Sequence, residues 1–297
     1  MSENIKIAIG LPAFNEEKNI GKIIAELSEK SYSVIVCNDG SADSTSMIAE
    51  KMGAIVVNHK RNLGYGAAIS SLFKKAKEHK FDILVTFDSD GQHRISDIEK
   101  IIEPIKNNSA DIVIGSRFLG DEKTEMPKYR KIGIKVITNL VNSQTGKKIT
   151  DSQSGFRAYD KKVFSEINLS ENGMGVSTEI LIKANQLKSK ITEIPIKILY
   201  EGDTSTHHPV AHGTSVILST MKFISIEHPL KFYGIPGIIF LVTGLFFILW
   251  TIQEFTSTGK VITNISLIGI GSTIFGMMLM MTSIMLFSLV SVVRERK

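Results

Sequence analysis

The chain has 297 residues, 43% hydrophobic and 22% charged, with one cysteine and a formal net charge of +5. Moderate charge with plentiful apolar residues excludes bulk disorder, and the lone Cys37 excludes a disulfide scaffold or a cysteine-rich metal cage. The pI of about 9.1 comes without an Arg-rich run or an aromatic-basic platform, so it points to anionic headgroups and not to nucleic acid.

Apolar runs alternate with amphipathic helical patterns from the start. "IKIAIGLPA" reads as a buried strand, followed by a helix capped by Asn15 and running to about Lys30, with Glu16 and Glu17 in its first turn. "SVIVCND" is a second strand, "STSMIAEKM" a helix, "AIVVNH" a third strand and "GAAISSLFKKAKE" a helix. "DILVTFD", "ISDIEKIIEPI" and "DIVIGS" continue the pattern as strand, helix and strand. Such alternation predicts a parallel sheet with helices on both faces, whose ligands sit beyond the carboxyl ends of the strands. Three strands end there in acid-containing loops: Pro12 to Glu16, Asn38 to Ser41, and Asp88 to Gln92. No P-loop occurs, and "GYG" at Gly64–Gly66 reads as a turn into a helix. Two carboxylates and an amide oxygen (Asp88, Asp90 and Gln92) suit a hard cation that also takes phosphate oxygens, Mg²⁺ or Mn²⁺.

Residues 128–148 alternate Ile132, Ile134, Val136, Ile137 and Leu140 with Lys128, Arg130, Lys131 and Lys135. A basic interfacial helix is favoured over an ordinary surface helix. "STHHPVAHG" holds His207, His208 and His212, but neither H-E-x-x-H nor a cysteine partner supports a zinc site. Residues 214–228 form a further apolar stripe, read as an in-plane juxtamembrane helix. No acidic or basic residue occurs from Phe232 to Gln253, or from Val261 to Val293, and each stretch exceeds the roughly 20 residues that cross a bilayer core. No secretory signal is expected at the start. The expected organisation is a soluble domain over 1–213, a juxtamembrane helix over 214–231, spans over 232–253 and 264–293, and a connecting loop over 254–263. Lys222, Lys231, Arg294, Arg296 and Lys297 flank the spans on the side of the N-terminal domain, which places that domain and both termini in the cytoplasm. Homo-oligomer contacts through the spans are an open option.

"LPAFNEEKNI", "NDGSADST", "NLGYGAAI", "DSDGQH", "GSRF" and "DSQSGFRAY" stand in an order and spacing that resembles family-2 glycosyltransferases of the GT-A fold. Within them the chain is most similar to dolichyl-phosphate mannose synthases and their polyprenyl-phosphate glucose and N-acetylglucosamine relatives. The resemblance covers about residues 5–200. It implies a Rossmann-like, mainly parallel α/β domain. It also implies that Pro12, Phe14, Glu16 and Asp39 line the nucleotide pocket, Asp39 reaching the base or ribose, and that Asp88, Asp90 and Gln92 hold the metal and diphosphate. Arg117 and Arg130 would meet the acceptor phosphate, "SGFRAY" with Ser154, Gly155 and Arg157 would floor the sugar site, and Glu179 would reach donor hydroxyls or serve only as a first-turn helix acid. The family commonly has Asp where this chain has Asn38, and Ser where it has Ile134. The loop around Gly202, Ser205 and the three histidines looks like archaeal-type enzymes that charge dolichyl phosphate from UDP-sugars, which tilts the donor towards UDP-glucose or UDP-N-acetylglucosamine over GDP-mannose.

The implied activity is inverting transfer of a hexose or N-acetylhexosamine to dolichyl or polyprenyl phosphate, feeding membrane glycan assembly such as protein N-glycosylation. Asp90, Arg117 and Arg130 would carry the reaction. A phosphomonoester is already anionic, so no general base is needed. Two alternatives remain: a transferase elongating a lipid-linked saccharide, with Asp151 or Glu179 as base, and a non-catalytic membrane subunit.

Overall fold

The computed structural model describes residues 5–89, 93–120, 128–197, 221, 225 and 229–295. In chain order the N-terminal unit contains β1 (Ile7–Ala13), α1 (Ile20–Glu29), β2 (Ser33–Asn38), α2 (Thr45–Lys51), β3 (Ile55–Asn58), α3 (Tyr65–Glu78) and β4 (Ile83–Thr86). A short 3₁₀ turn (Ile95–Asp97) leads into α4 (Ile98–Lys106), β5 (Ile112–Ser116), α5 (Lys128–Thr145), β6 (Arg157–Asp160), α6 (Lys161–Glu166), α7 (Val176–Gln186) and β7 (Ile191–Pro195).

The seven strands lie in the order β3-β2-β1-β4-β6-β5-β7. All pairings are parallel except those of β6, which runs antiparallel between β4 and β5. The mainly parallel sheet is as expected. The reversed strand in its middle is a departure, since four residues reading Arg-Ala-Tyr-Asp carry too little apolar pattern to announce a strand. Strand alternation sends Ala8, Ile35, Cys37, Leu84 and Ile114 to one core and Ile9, Leu11, Val34, Val36 and Val85 to the other. Helix α3 supplies Leu72 and Phe73 to the first core. Helices α1 and α4 close the second with Ile20, Ile23, Ile24 and Leu27, and with Ile98, Ile101, Ile102 and Ile105. Both stripes have the spacing of a single helical face, and each buried isoleucine contributes roughly 1.5–3 kcal/mol.

The first helix does not begin at Asn15. That residue has φ 57°, a left-handed conformation incompatible with a helical turn, and α1 starts at Ile20. The intervening turn closes where the Asn19 and Ile20 N–H groups both donate to the Glu16 carbonyl.

The C-terminal unit, Met221–Lys297, contains a π-helical turn (Leu230–Gly234) that continues into α8 (Ile235–Thr258), followed by α9 (Thr263–Glu295). Two 29-residue stretches, Leu230–Thr258 and Thr263–Ser291, are long and apolar enough to cross a membrane. The first helix runs past the expected end at Gln253 and stops at Gly259, whose φ of 69° forms a left-handed C-cap. Glycines bring α8 and α9 into backbone contact. A Cβ on Gly244 would stand 2.3 Å from Thr273 Oγ1, and one on Gly276 would stand 2.8 Å from the Leu241 nitrogen. Small residues at such positions let helices approach without side-chain interposition. The stripe expected over 214–231 lies mostly outside the described residues, and the histidine loop wholly so.

Candidate active site

The carboxyl ends of β2, β1 and β4 are neighbours in the sheet, so the three acid-containing loops meet there. Hydrogen bonds staple the first loop to the second. The Asn15 N–H donates to Ser41 Oγ at 2.9 Å, and the Ala42 N–H donates back to Asn15 Oδ1 at 2.9 Å. Glu16 N–H donates to Thr45 Oγ1 at 2.8 Å, and Glu17 N–H to Asp43 Oδ2 at 3.1 Å. The fourth-strand loop joins them where Ser89 Oγ donates to the Pro12 carbonyl at 2.9 Å. Pro12, Phe14 and Glu16 are half-buried along this edge, with Glu16 Oε2 accepting from Asn19 Nδ2 at 3.0 Å.

Asp39 follows β2 at the same edge of the sheet. It is 4% exposed, and its carboxylate is engaged inside the protein. Oδ1 accepts from the Leu63 N–H at 2.9 Å and lies 2.6 Å from His59 Nδ1, while Oδ2 accepts from the Gly64 N–H at 2.8 Å. Asp39 therefore anchors the turn from Lys60 to Gly64. That turn packs on Gly40, where a Cβ would come within 2.3 Å of the Arg61 carbonyl carbon. Asn38 bridges the strand ends, donating through Nδ2 to Asn58 Oδ1 at 2.8 Å and accepting from the Ser41 N–H at 3.1 Å.

Asp88 follows β4, with about a third of its side chain open (32%). His93 Nε2 lies 3.2 Å from Asp88 Oδ2, and the Tyr65 hydroxyl donates to the same carboxylate. Burial pushes this carboxyl up, but the hydrogen bond and charge of His93, then the charge of Arg117 and the Tyr65 hydroxyl, hold it below the usual range. Burial, and next the Asp88 charge, push the Tyr65 phenol well above its ordinary value. Gly155 lies directly beneath: a Cβ there would stand 2.7 Å from Asp88 Oδ2 and 2.8 Å from the Tyr65 oxygen. Ser154 Oγ and His93 Nδ1 are buried with no hydrogen-bond partner among the described residues. Asp90 and Gln92 lie outside the described residues. A partly open carboxylate kept ionised is one hard oxygen donor of the kind a divalent cation takes; among the described residues no group of three or more His, Cys, Asp or Glu side chains gathers to complete such a site.

Arg157 is 1% exposed. Its Nε donates to the Ser154 carbonyl, Nη1 to that of Ser177 and Nη2 to that of Ser152, at 2.8, 3.0 and 2.7 Å. It shapes the Ser152–Gly155 turn from below. Arg117, 8% exposed, is turned towards Asp151, with Nε 2.6 Å from Oδ2 and Nη2 2.8 Å from Oδ1. Both Arg117 and Lys131, the latter on α5, stand 5.9 Å from the centre of the Phe118 ring, so cationic groups of β5 and α5 gather at this end of the sheet. Arg130 lies in the first turn of α5, and its side chain is outside the described residues.

Glu179, in the first turn of α7, is engaged by internal partners. It is fully buried, and its carboxylate accepts from Ser170 N–H and Oγ, from the Glu171 N–H and from Lys183 Nζ at 2.6–2.9 Å. This holds the loop whose Asn172 carbonyl accepts from the Gly66 and Ala67 N–H groups, at 2.8 and 3.3 Å, capping α3.

Sequence reasoning missed Tyr65, His93 and His59. For His59 the deciding fact is the register of the sheet: β2 and β3 pair with Asn38 opposite Asn58, so the next rung sets Asp39 beside His59.

A family model described as glycosyl transferase family 2 matches residues 8–167. An uncharacterised protein of Methanocaldococcus jannaschii is 38% identical over 216 residues, covering 71% of this chain and 87% of the relative. A UDP-N-acetylglucosamine–dolichyl-phosphate N-acetylglucosaminyltransferase of Methanococcus voltae is 36% identical over 235 residues, covering 72% and 91%. Among solved structures, glucosyl-3-phosphoglycerate synthase of Mycobacterium tuberculosis in complex with Mn²⁺, UDP and glucosyl-3-phosphoglycerate superposes with a TM-score of 0.55 at 19% identity, covering 74% of this chain and 80% of that one. That likeness shows the GT-A fold. With the sequence match spanning the three loops and more than half of the chain, the chain belongs to glycosyl transferase family 2.

Proposed function

We propose that this protein is a membrane-anchored, inverting transferase that moves a hexose or N-acetylhexosamine from a nucleotide sugar to a polyprenyl phosphate such as dolichyl phosphate. One observation carries the choice of acceptor. The two carboxylates weighed above as the base for a sugar hydroxyl, Asp151 and Glu179, are both fully buried and held by internal partners. An acceptor that needs no base suits such a site. A phosphomonoester has its second pKa at about 6 and is largely dianionic at neutral pH. Its oxygen would form a bond to the anomeric carbon as the bond to the nucleoside diphosphate breaks, the electron pair leaving with the diphosphate.

Asp88, with Asp90 and Gln92, would hold a divalent cation, Mg²⁺ or Mn²⁺, which when bound supplies charge neutralisation for the departing diphosphate. Pro12, Phe14, Glu16 and the turn anchored by Asp39 would bound the nucleotide, and Ser154 and Gly155 the sugar. Arg130 and Lys131 would position the acceptor phosphate, with Arg117 acting through the ion pair that fixes the end of β5. The name of the Methanococcus voltae relative supports a UDP-sugar donor and a dolichyl-phosphate acceptor, a chemistry that serves protein N-glycosylation. The basic flanks of the two apolar stretches support a cytoplasmic catalytic domain.

The test incubates membranes containing the protein with radiolabelled UDP- and GDP-sugars and dolichyl phosphate. Label in a lipid-extractable, acid-labile monosaccharide phosphate is the expected result. Label appearing only on a pre-existing lipid-linked saccharide would overturn the reading.

A further inference from the structure

His59 has both ring nitrogens engaged, and its partners come from two different elements. Nδ1 lies 2.6 Å from Asp39 Oδ1, at the end of β2, and Nε2 lies 2.8 Å from Ser71 Oγ, in the middle of α3, with Cys37 Sγ of β2 at 3.6 Å. The order carboxylate, imidazole, hydroxyl is that of a nucleophilic triad. Its surroundings exclude that use. The His59 side chain is 9% exposed, Ser71 is half-buried inside a continuous helix, and the Cys37 thiol is fully buried and pushed up to about 12 by burial first and by Asp39 second.

What the arrangement does is hold Asp39. The same Oδ1 that meets His59 accepts the Leu63 N–H, and Oδ2 accepts the Gly64 N–H. Gly64, at φ 103°, then opens α3. An imidazole pinned at both nitrogens has no free rotamer, so the carboxylate it meets cannot swing away from the turn. We propose that His59 is a positioning residue for nucleotide binding: through Asp39 it fixes the Lys60–Gly64 turn that borders the nucleotide pocket. This rests on the nucleotide-sugar reading above.

The experiment titrates UDP and GDP, each with MnCl₂, into the full chain in detergent micelles by calorimetry, and measures KM and kcat in the transfer assay. Whichever nucleotide the unaltered protein binds is the reference. In His59→Asn the amide nitrogen occupies the place of Nδ1, whereas in His59→Gln it reaches only the place of Nε2. His59→Gln and His59→Ala should weaken nucleotide binding roughly tenfold, the loss of one hydrogen bond to a charged group, with the change in KM and not in kcat. His59→Asn should restore most of that loss. Ser71→Ala removes the far partner with less risk to folding, and should weaken binding by about threefold. Unchanged binding in His59→Gln and Ser71→Ala overturns the proposal. So does an equal loss in the Asn and Gln variants with equal falls in melting temperature, which would make the ring merely structural. If the unaltered protein binds neither nucleotide, the nucleotide-sugar reading fails, and this inference with it.

Discussion

Arg117 and Asp151 form a bidentate, buried ion pair. The guanidinium Nε and Nη2 lie 2.6 and 2.8 Å from the two carboxylate oxygens, and the Arg117 N–H also donates to Oδ2 at 3.2 Å. The Thr150 and Asp151 N–H groups are in turn held by Glu193 of β7, at 2.7 and 3.0 Å. The pair therefore ties the end of β5 to the segment before β6. Under the proposed function Asp151 is a structural acid, tying these elements together, and the acceptor needs no base.

Asp151→Asn should destabilise the catalytic domain by about 3–5 kcal/mol, the effect of removing one partner of a buried ion pair. Thermal unfolding of the purified chain would show it as a lowered melting temperature. Activity loss in this variant should track the unfolded fraction. A folded but inactive Asp151→Asn protein would contradict the assignment.

Acid should unfold the domain for the same reason. Burial works to raise the Asp151 and Glu179 carboxyls. For Asp151 the charge and hydrogen bonds of Arg117 outweigh it, and for Glu179 those of Lys183, Ser170 and Glu171 do, so both sit below the usual range. A depressed folded value gives stability that is present above the unfolded values of ~3.9 and ~4.3 and is lost as pH falls through the folded ones. The melting temperature should hold between about pH 7 and 5 and decline below about pH 4. Glu179→Gln should melt lower at neutral pH and show a shallower acid decline.

Gly155→Ala probes the cradle under Asp88. The added methyl would stand 2.7 Å from the carboxylate and 2.8 Å from the Tyr65 hydroxyl, and nearby groups would have to move. A misplacement of about 1 Å at a reacting centre reduces turnover by roughly 10²-fold. Mn²⁺ binding followed by electron paramagnetic resonance should weaken in parallel, while the melting temperature changes little. Full activity in Gly155→Ala would show that the Asp88 carboxylate has room to spare.

Metal removal offers a separate check. Exhaustive chelation should abolish sugar transfer, and added Mn²⁺ or Mg²⁺ should restore it. Asp88→Asn should remain poorly active at saturating metal. Full-speed transfer under chelation would refute the role given to the acidic loop.

The helix pair can be tested at two glycines. Gly244→Ala places a methyl 2.3 Å from Thr273 Oγ1, whereas a methyl on Gly271 would meet nothing within 4 Å among the described residues. The first substitution should force α8 and α9 apart and lower the temperature of inactivation in micelles, and Gly271→Ala should leave it unchanged.

Much of this was legible in the residues themselves. Strict alternation of apolar runs and helical stripes specifies a layered α/β domain, because each strand must bury both faces and each helix one. The acidic loops after the first, second and fourth strands specify where the chemistry gathers, since parallel strands bring their carboxyl ends to one edge. The uncharged stretches after Lys231 specify helices of membrane length. Which polar groups face a ligand is a different matter. Asp39, Glu179, Arg157 and Arg117 have the composition of substrate contacts, yet each is covered by groups that only folding brings near: Asp39 by the Leu63 and Gly64 N–H groups, Glu179 by the Ser170 loop, Arg157 by Ser177 and Arg117 by Asp151. His59 and Tyr65 gain their roles the same way, from the β2–β3 register and from the approach of Gly155. A side chain's type limits what it can bind, but only the tertiary contacts that saturate or spare its hydrogen-bonding capacity decide whether it binds substrate or holds the protein that does.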